Sequence, residues 1–196
     1  SMLLAAQAIA IAIGALPVFW LARKHLGSER AGLGFALAYL LYPAVQWLTL
    51  AEFHPVALAC PLLLFAFWYL DEDRLVPFAV FAGLAALTKE EIPLVIAAMG
   101  IWYALSRKRY RIGGAIAVLG AVATAISVKL VLPHYNEGAS SSFYRRYGAL
   151  GDSPGEILET VFTDPGRLID VAFDSEGLHY LADLLLPLVL LFAAAP

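Results

Sequence analysis

Thr88-Lys89-Glu90-Glu91 sets one ammonium and two carboxylates between two apolar runs, Leu75 to Leu87 and Ile92 to Leu105. At or near membrane depth, charge costs roughly 2.5–3.5 kcal/mol per residue on insertion scales, so it requires a partner or a wet cavity. A carboxylate pair can hold a divalent ion, and Lys89 can take a phosphate oxygen. Successive residues leave a helix in different directions, so at most one of Glu90 and Glu91 is expected to face a site. The plainer alternatives are internal ion pairs and a loop where two hydrophobic helices meet water.

Two further stretches carry chemistry. Glu52-Phe53-His54-Pro55 places a carboxylate and an imidazole two residues apart. On a helix they would diverge, but Pro55 favours extended backbone at His54, and there both could serve one pocket as a general base or as metal ligands. One Glu and one His make a weak metal signal, and a hydrogen-bonded interface histidine is the alternative. Tyr144-Arg145-Arg146-Tyr147-Gly148 offers two guanidinium forks suited to phosphate, flanked by amphipathic aromatics. A lipid-headgroup anchor would use the same residues. The chain has no glycine-rich phosphate loop, no catalytic cysteine pair and no basic stripe, which excludes nucleic-acid binding.

The elements that must position these groups are apolar helices. Of the 196 residues 61% are hydrophobic and 15% charged, and the mean hydropathy is +0.77, far from a soluble domain with about 25% charged residues. Several runs approach the length of about 20 residues that spans hydrocarbon, and the alternating segments of a membrane barrel are absent. The expected fold is therefore all-α, a polytopic transmembrane bundle of about seven apolar segments, some short or broken. Cys60 is the only cysteine, so there is no disulfide framework.

The runs are Leu3 to Ala22, Ala31 to Leu50 with a kink at Tyr42-Pro43, Val56 to Leu70, Leu75 to Leu87, Ile92 to Leu105, Ile112 to Leu132 and Leu178 to Ala195. Residues 1–132 are thus read as six transmembrane helices, 133–177 as a non-cytoplasmic loop, and 178–196 as a last span. If each run crosses once, the loops at 23–30, 71–74 and 107–111 share one face and hold eight of the thirteen Lys and Arg. That face is expected to be cytoplasmic, in the cell membrane. The loops at 51–55 and 88–91 and the segment 133–177 then lie outside. A rival topology joins Leu75 to Leu105 into one helix. It would be over-long and would carry Lys89, Glu90, Glu91 and Pro93 at its centre.

In the outer segment Ser153-Pro154-Gly155-Glu156 is a capping box with proline at the first helical position, and Asp164-Pro165 repeats the start signal. Two short amphipathic helices are expected, lying on the membrane surface or packed as a hairpin on the outer loops. Ser1-Met2 reads like a cloning remnant, and both termini fall in hydrophobic sequence, as in a piece of a longer protein.

Taken in order, Tyr39-Leu40-Leu41-Tyr42-Pro43, Glu52-Phe53-His54-Pro55, Thr88-Lys89-Glu90-Glu91, Arg146-Tyr147-Gly148-Ala149-Leu150-Gly151 and Ser153-Pro154-Gly155-Glu156 resemble the serial signatures of a prokaryotic family of polytopic membrane proteins of unknown function. That family is grouped by similarity with the GT-C membrane glycosyltransferases. The resemblance runs from about Leu3 to Leu168. It implies a GT-C-like helical fold with an outer-face site and a polyprenyl-phosphate-sugar donor. In GT-C enzymes an acidic residue of the first outer loop acts as base or metal ligand. The region corresponding to that loop is not in this sequence. By position, Glu52, His54 and Glu90 become the catalytic candidates, with a divalent metal as candidate cofactor, and Lys89, Arg145, Arg146 and Tyr147 the substrate-binding candidates. Two other classes compete. A transporter or lipid-handling protein would use helices broken at Pro43, Pro61 and Pro93, and would show an internal repeat, which is not seen. A non-catalytic scaffold would use the outer segment for docking.

Overall fold

The structure is a computed structural model that describes residues 2–50, 52–135, 150–151, 154–174, 177–179, 181–182 and 185. Among the described residues every regular element is helical. The chain forms two compact units, Ser1–Val131 and Leu132–Pro196.

In the first unit α1 (Met2–Ile13) runs into α2 (Ala15–Leu26) through a single turn at Gly14. Gly27 ends α2 with φ +65°, the left-handed backbone at which glycine carries no Cβ penalty, and its N–H donates to the Arg23 carbonyl. Ser28 caps α3 (Glu29–Leu41) through its hydroxyl, which accepts from Ala31 N–H. Pro43 excludes helical backbone at Tyr42, which is extended, so α4 (Pro43–Leu50) leaves α3 at 49°.

After a 3-10 turn at Pro55–Leu58, α5 (Ala59–Asp71), α6 (Leu75–Ala86), α7 (Ile92–Arg107) and α8 (Tyr110–Ile126) pack antiparallel in sequence, with a π turn Ser127–Val131 extending α8. The one-helix alternative for Leu75 to Leu105 does not form, because the chain turns through Leu87–Glu91. Pro61 and Pro93 lie in the first turns of α5 and α7, where a missing N–H costs nothing. They start helices rather than break them, and among the described residues the one bent pair of spanning helices is the one that meets at Pro43.

The core of this unit joins Ala59, Ala66 and Leu70 of α5 to Phe78, Ala82 and Ala85 of α6 and Ile92, Ile96 and Tyr103 of α7. Aromatic rings extend it, with Phe65 stacked on Phe81 at 5.1 Å and Trp20 against Trp68 at 5.6 Å. Glycine lets α7 and α8 touch backbone to backbone. A Cβ on Gly113 would stand 2.5 Å from Ala104 N and from the Gly100 carbonyl.

By length and apolar composition, Met2–Leu26 and Tyr110–Val131 can each cross a membrane, and the bent pair α3 and α4 makes a third if it is one span. Pro55–Asp71, Leu75–Ala86 and Ile92–Arg107 are shorter apolar helices. The second unit contains α9 (Leu132–Tyr135), α10 (Pro154–Thr163) and α11 (Pro165–Ala172). Asp164 caps α11, its carboxylate accepting from Arg167 N–H at 3.2 Å. Ser153, the cap expected for α10, lies outside the described residues, as do residues 186–196 of the expected last span.

Candidate functional site

Because α5 and α6 form a hairpin through 72–74, Glu52–His54 before α5 and Thr88–Glu91 after α6 reach the same end of the first unit. Gln7 organises the first of these stretches. It is fully buried in α1, its Nε2 donates to the Leu48 carbonyl at 2.8 Å, and its Oε1 accepts from His54 N–H at 3.1 Å. Pro55 keeps His54 extended, with φ −126° and ψ 123°. The ring then folds back, and Nδ1 lies 2.7 Å from the Glu52 carbonyl oxygen. A carbonyl only accepts, so Nδ1 carries the hydrogen and a neutral His54 presents the Nε2 lone pair to solvent. The His54 ring therefore engages the Glu52 backbone, and the exposed Glu52 carboxylate has no ion-pair or hydrogen-bond partner among the described residues.

In the second stretch Thr88 closes α6, its hydroxyl donating to the Ala85 carbonyl at 2.7 Å. Ile92 N–H then donates to the Lys89 carbonyl and Leu94 N–H to that of Glu91 as α7 begins. Lys89 Nζ sits 2.5 Å from Glu91 Oε1, an internal ion pair between two partly exposed side chains. Of the adjacent carboxylates, Glu91 is thus engaged and Glu90 is left without a partner among the described residues. Arg145, Arg146 and Tyr147 lie outside the described residues. Among the described residues no three His, Cys, Asp or Glu side chains converge closely enough to hold a metal ion.

Among the described residues the densest polar cluster lies at the opposite end, on residues that sequence reading treats only as a charged turn between basic loops. Asp71 is buried, its side chain 1% exposed. Its carboxylate accepts from Lys24 Nζ at 2.6 Å, from Arg107 Nη2 at 2.8 Å and from His25 Nε2 at 3.1 Å. Its backbone carbonyl accepts from Lys24 and Arg107 as well. Lys24 also reaches Glu72 at 2.5 Å, while Asp73 accepts from the Tyr103 hydroxyl and pairs with Arg109 at 2.5 Å. Burial by itself would raise the Asp71 carboxyl, but the hydrogen bonds and charges of Lys24 and His25 outweigh it and hold the group below the ordinary aspartate range. This network ties α2, α5 and α7 together. The available signal was that an acidic turn follows one basic loop and precedes another on the face to which all three were assigned.

No curated protein and no solved structure matches the chain. A family model does, over residues 1–196, and its description is a predicted membrane protein, DUF2079. Apolar helices of spanning length, a polar end carrying the Glu52 and Thr88 motifs and that full-length match agree. The chain belongs to the DUF2079 family of membrane proteins.

Proposed function

We propose that this chain forms part of a GT-C-like membrane glycosyltransferase that takes a sugar from a polyprenyl-phosphate donor on the non-cytoplasmic face. One observation carries the reading. The carboxylates of Glu52 and Glu90 emerge at the same end of the helix layer and are not used to hold helices together, whereas Asp71, Glu72 and Asp73 at the other end are all consumed in ion pairs. The basic end, with eight Lys and Arg, is the cytoplasmic one by the distribution of positive charge in short loops.

In this mechanism Glu90 or Glu52 takes the proton from the acceptor hydroxyl. The acceptor oxygen bonds to the anomeric carbon from the face opposite the phosphate, and the carbon–oxygen bond to phosphate breaks with its electron pair. The sugar inverts and polyprenyl phosphate leaves. Cationic side chains take the departing charge, a role for which Arg145 and Arg146 are candidates by residue type alone. Lys89 contributes once it exchanges Glu91 for a phosphate oxygen. His54 Nε2, held outward by the Glu52 carbonyl, hydrogen-bonds the acceptor.

Glu90→Gln and Glu52→Gln in the full-length protein, assayed in membranes with a labelled polyprenyl-phosphate sugar, test this. Loss of the base is expected to slow transfer by roughly 100-fold or more in one of the two variants. Undiminished transfer in both overturns the reading and leaves these charges as loop solvation.

A further inference from the structure

Between α6, α7 and α8 runs an open groove of about 420 Å³ lined entirely by apolar and glycine residues. Small side chains create it, chiefly Ala79, Ala82, Gly83 and Ala86 on α6 facing Gly120 and Ala123 on α8. Along α6 it extends from Leu75 to Ala86, about 16 Å at 1.5 Å per residue, which is about half of a 30 Å hydrocarbon core. Its depth is that of one leaflet.

The two mouths differ in charge. At one mouth the nearest turn is Thr88–Glu91, where Glu91 neutralises Lys89 and Glu90 leaves a net negative charge. At the other, Leu75 and Ile112 line the groove and directly follow Arg74 and Arg111. The acids at this end are spent, Asp71 on Lys24 and Arg107, Glu72 on Lys24, and Asp73 on Arg109. Arg111 and Lys108 are exposed and have no partner among the described residues. Arg74 stacks over the Tyr69 ring at 5.2 Å, a contact that orients the guanidinium and leaves its charge unneutralised.

An apolar slot one leaflet deep, with unneutralised cations at one mouth and a negative turn at the other, fits a single class of occupant. We propose that the groove seats an anionic phospholipid of the leaflet at the basic end, one acyl chain lying between α6 and α8 and the headgroup phosphate meeting Arg111, Arg74 and Lys108. The headgroup lies at the mouth opposite Glu90, so the proposal does not rest on the transferase reading.

The test is to purify the full-length protein from vesicles containing equal phosphatidylglycerol and phosphatidylcholine, and to quantify both retained lipids by mass spectrometry. Wild type is expected to retain phosphatidylglycerol in preference. Arg74→Gln and Arg111→Gln should each reduce that preference about fivefold, the effect of one interfacial cation. A Cβ on Gly83 meets nothing within 4 Å, so Gly83→Phe starts its side chain in open space at the groove wall and should lower retention of the bound lipid, with an unchanged thermal midpoint showing that the fold is kept. Equal retention of the two lipids by wild type, or a preference unchanged in the arginine variants, overturns the headgroup assignment. Unchanged retention in Gly83→Phe overturns the groove as its seat and indicates that another part of the protein covers it.

Discussion

Asp71 shows how much a single residue can hold in a thin helical layer. Removing one partner of a buried ion pair strands the others, at a cost of roughly 3–5 kcal/mol. Lys24 and Arg107 are 35% and 38% exposed and can rehydrate, so the lower bound applies. Asp71→Asn is expected to destabilise the protein by about 3 kcal/mol, read as a fall in the thermal midpoint in detergent. The folded carboxyl titrates below the unfolded one, so its stabilisation is complete above the unfolded pKa of about 3.9 and is lost as pH falls through the lower folded value. Wild type should therefore lose stability on acidification below about pH 4 more steeply than Asp71→Asn does. Parallel pH profiles would contradict the network. At the other end, the reading of Glu52-Phe53-His54-Pro55 anticipated the extended His54 backbone, and an internal ion pair was one of the alternatives for Thr88-Lys89-Glu90-Glu91. Gln7 escaped notice because a lone glutamine in an apolar run carries no local signal. Only its packing against Leu48 and His54, more than forty residues away, gives it a role.

At the scale of elements, short helices are held by close approach as well as by charge. Gly100 and Gly113 bring α7 and α8 into backbone contact, and Gly120 does the same against Pro93 and Ala97. Adding one methyl at Gly113 forces the pair apart, since the atoms it meets are backbone and cannot swing away. Gly113→Ala should destabilise by roughly 1–3 kcal/mol, the usual cost of overpacking, against the gain of a few tenths to 1 kcal/mol that alanine brings to an open helical site. Gly114, where a Cβ would meet nothing within 4 Å, is the control and should show only that gain. Thermal unfolding of the two variants side by side separates the effects. Helix starts and stops were legible in sequence where proline or a capping residue marks them, as at Tyr42-Pro43 and Asp164-Pro165. The helix breaks at Pro61 and Pro93 that a transporter would use are not formed, because both prolines lie in first turns, and a proline looks the same one turn into a helix as at its middle until the preceding loop is known.

For the whole molecule, the distribution of charge organises function as well as orientation. One end of the first unit spends its acids on interhelical pairs and keeps a surplus of cations, and the other keeps carboxylates in reserve. If the basic end is cytoplasmic, Leu87→Cys, at an exposed position, should react with a membrane-impermeant maleimide in intact cells expressing a Cys60→Ser background. Lys108→Cys should react only after permeabilisation. The reverse pattern would invert the topology and move Glu52 and Glu90 to the cytoplasm.

Composition and periodicity determined on their own that this is an all-α membrane protein, because only apolar helices satisfy their backbone in lipid, and the ordered motifs pointed to the family. Tertiary structure decided which charges are structural and which are free. That division depends on which loops meet at each end, a long-range property that no local window of residues contains. Asp71 and Glu90 look alike in sequence, each an acid beside an apolar run, and differ only in that Lys24 and His25 of α2 and Arg107 of α7 converge on Asp71 and no cation among the described residues reaches Glu90.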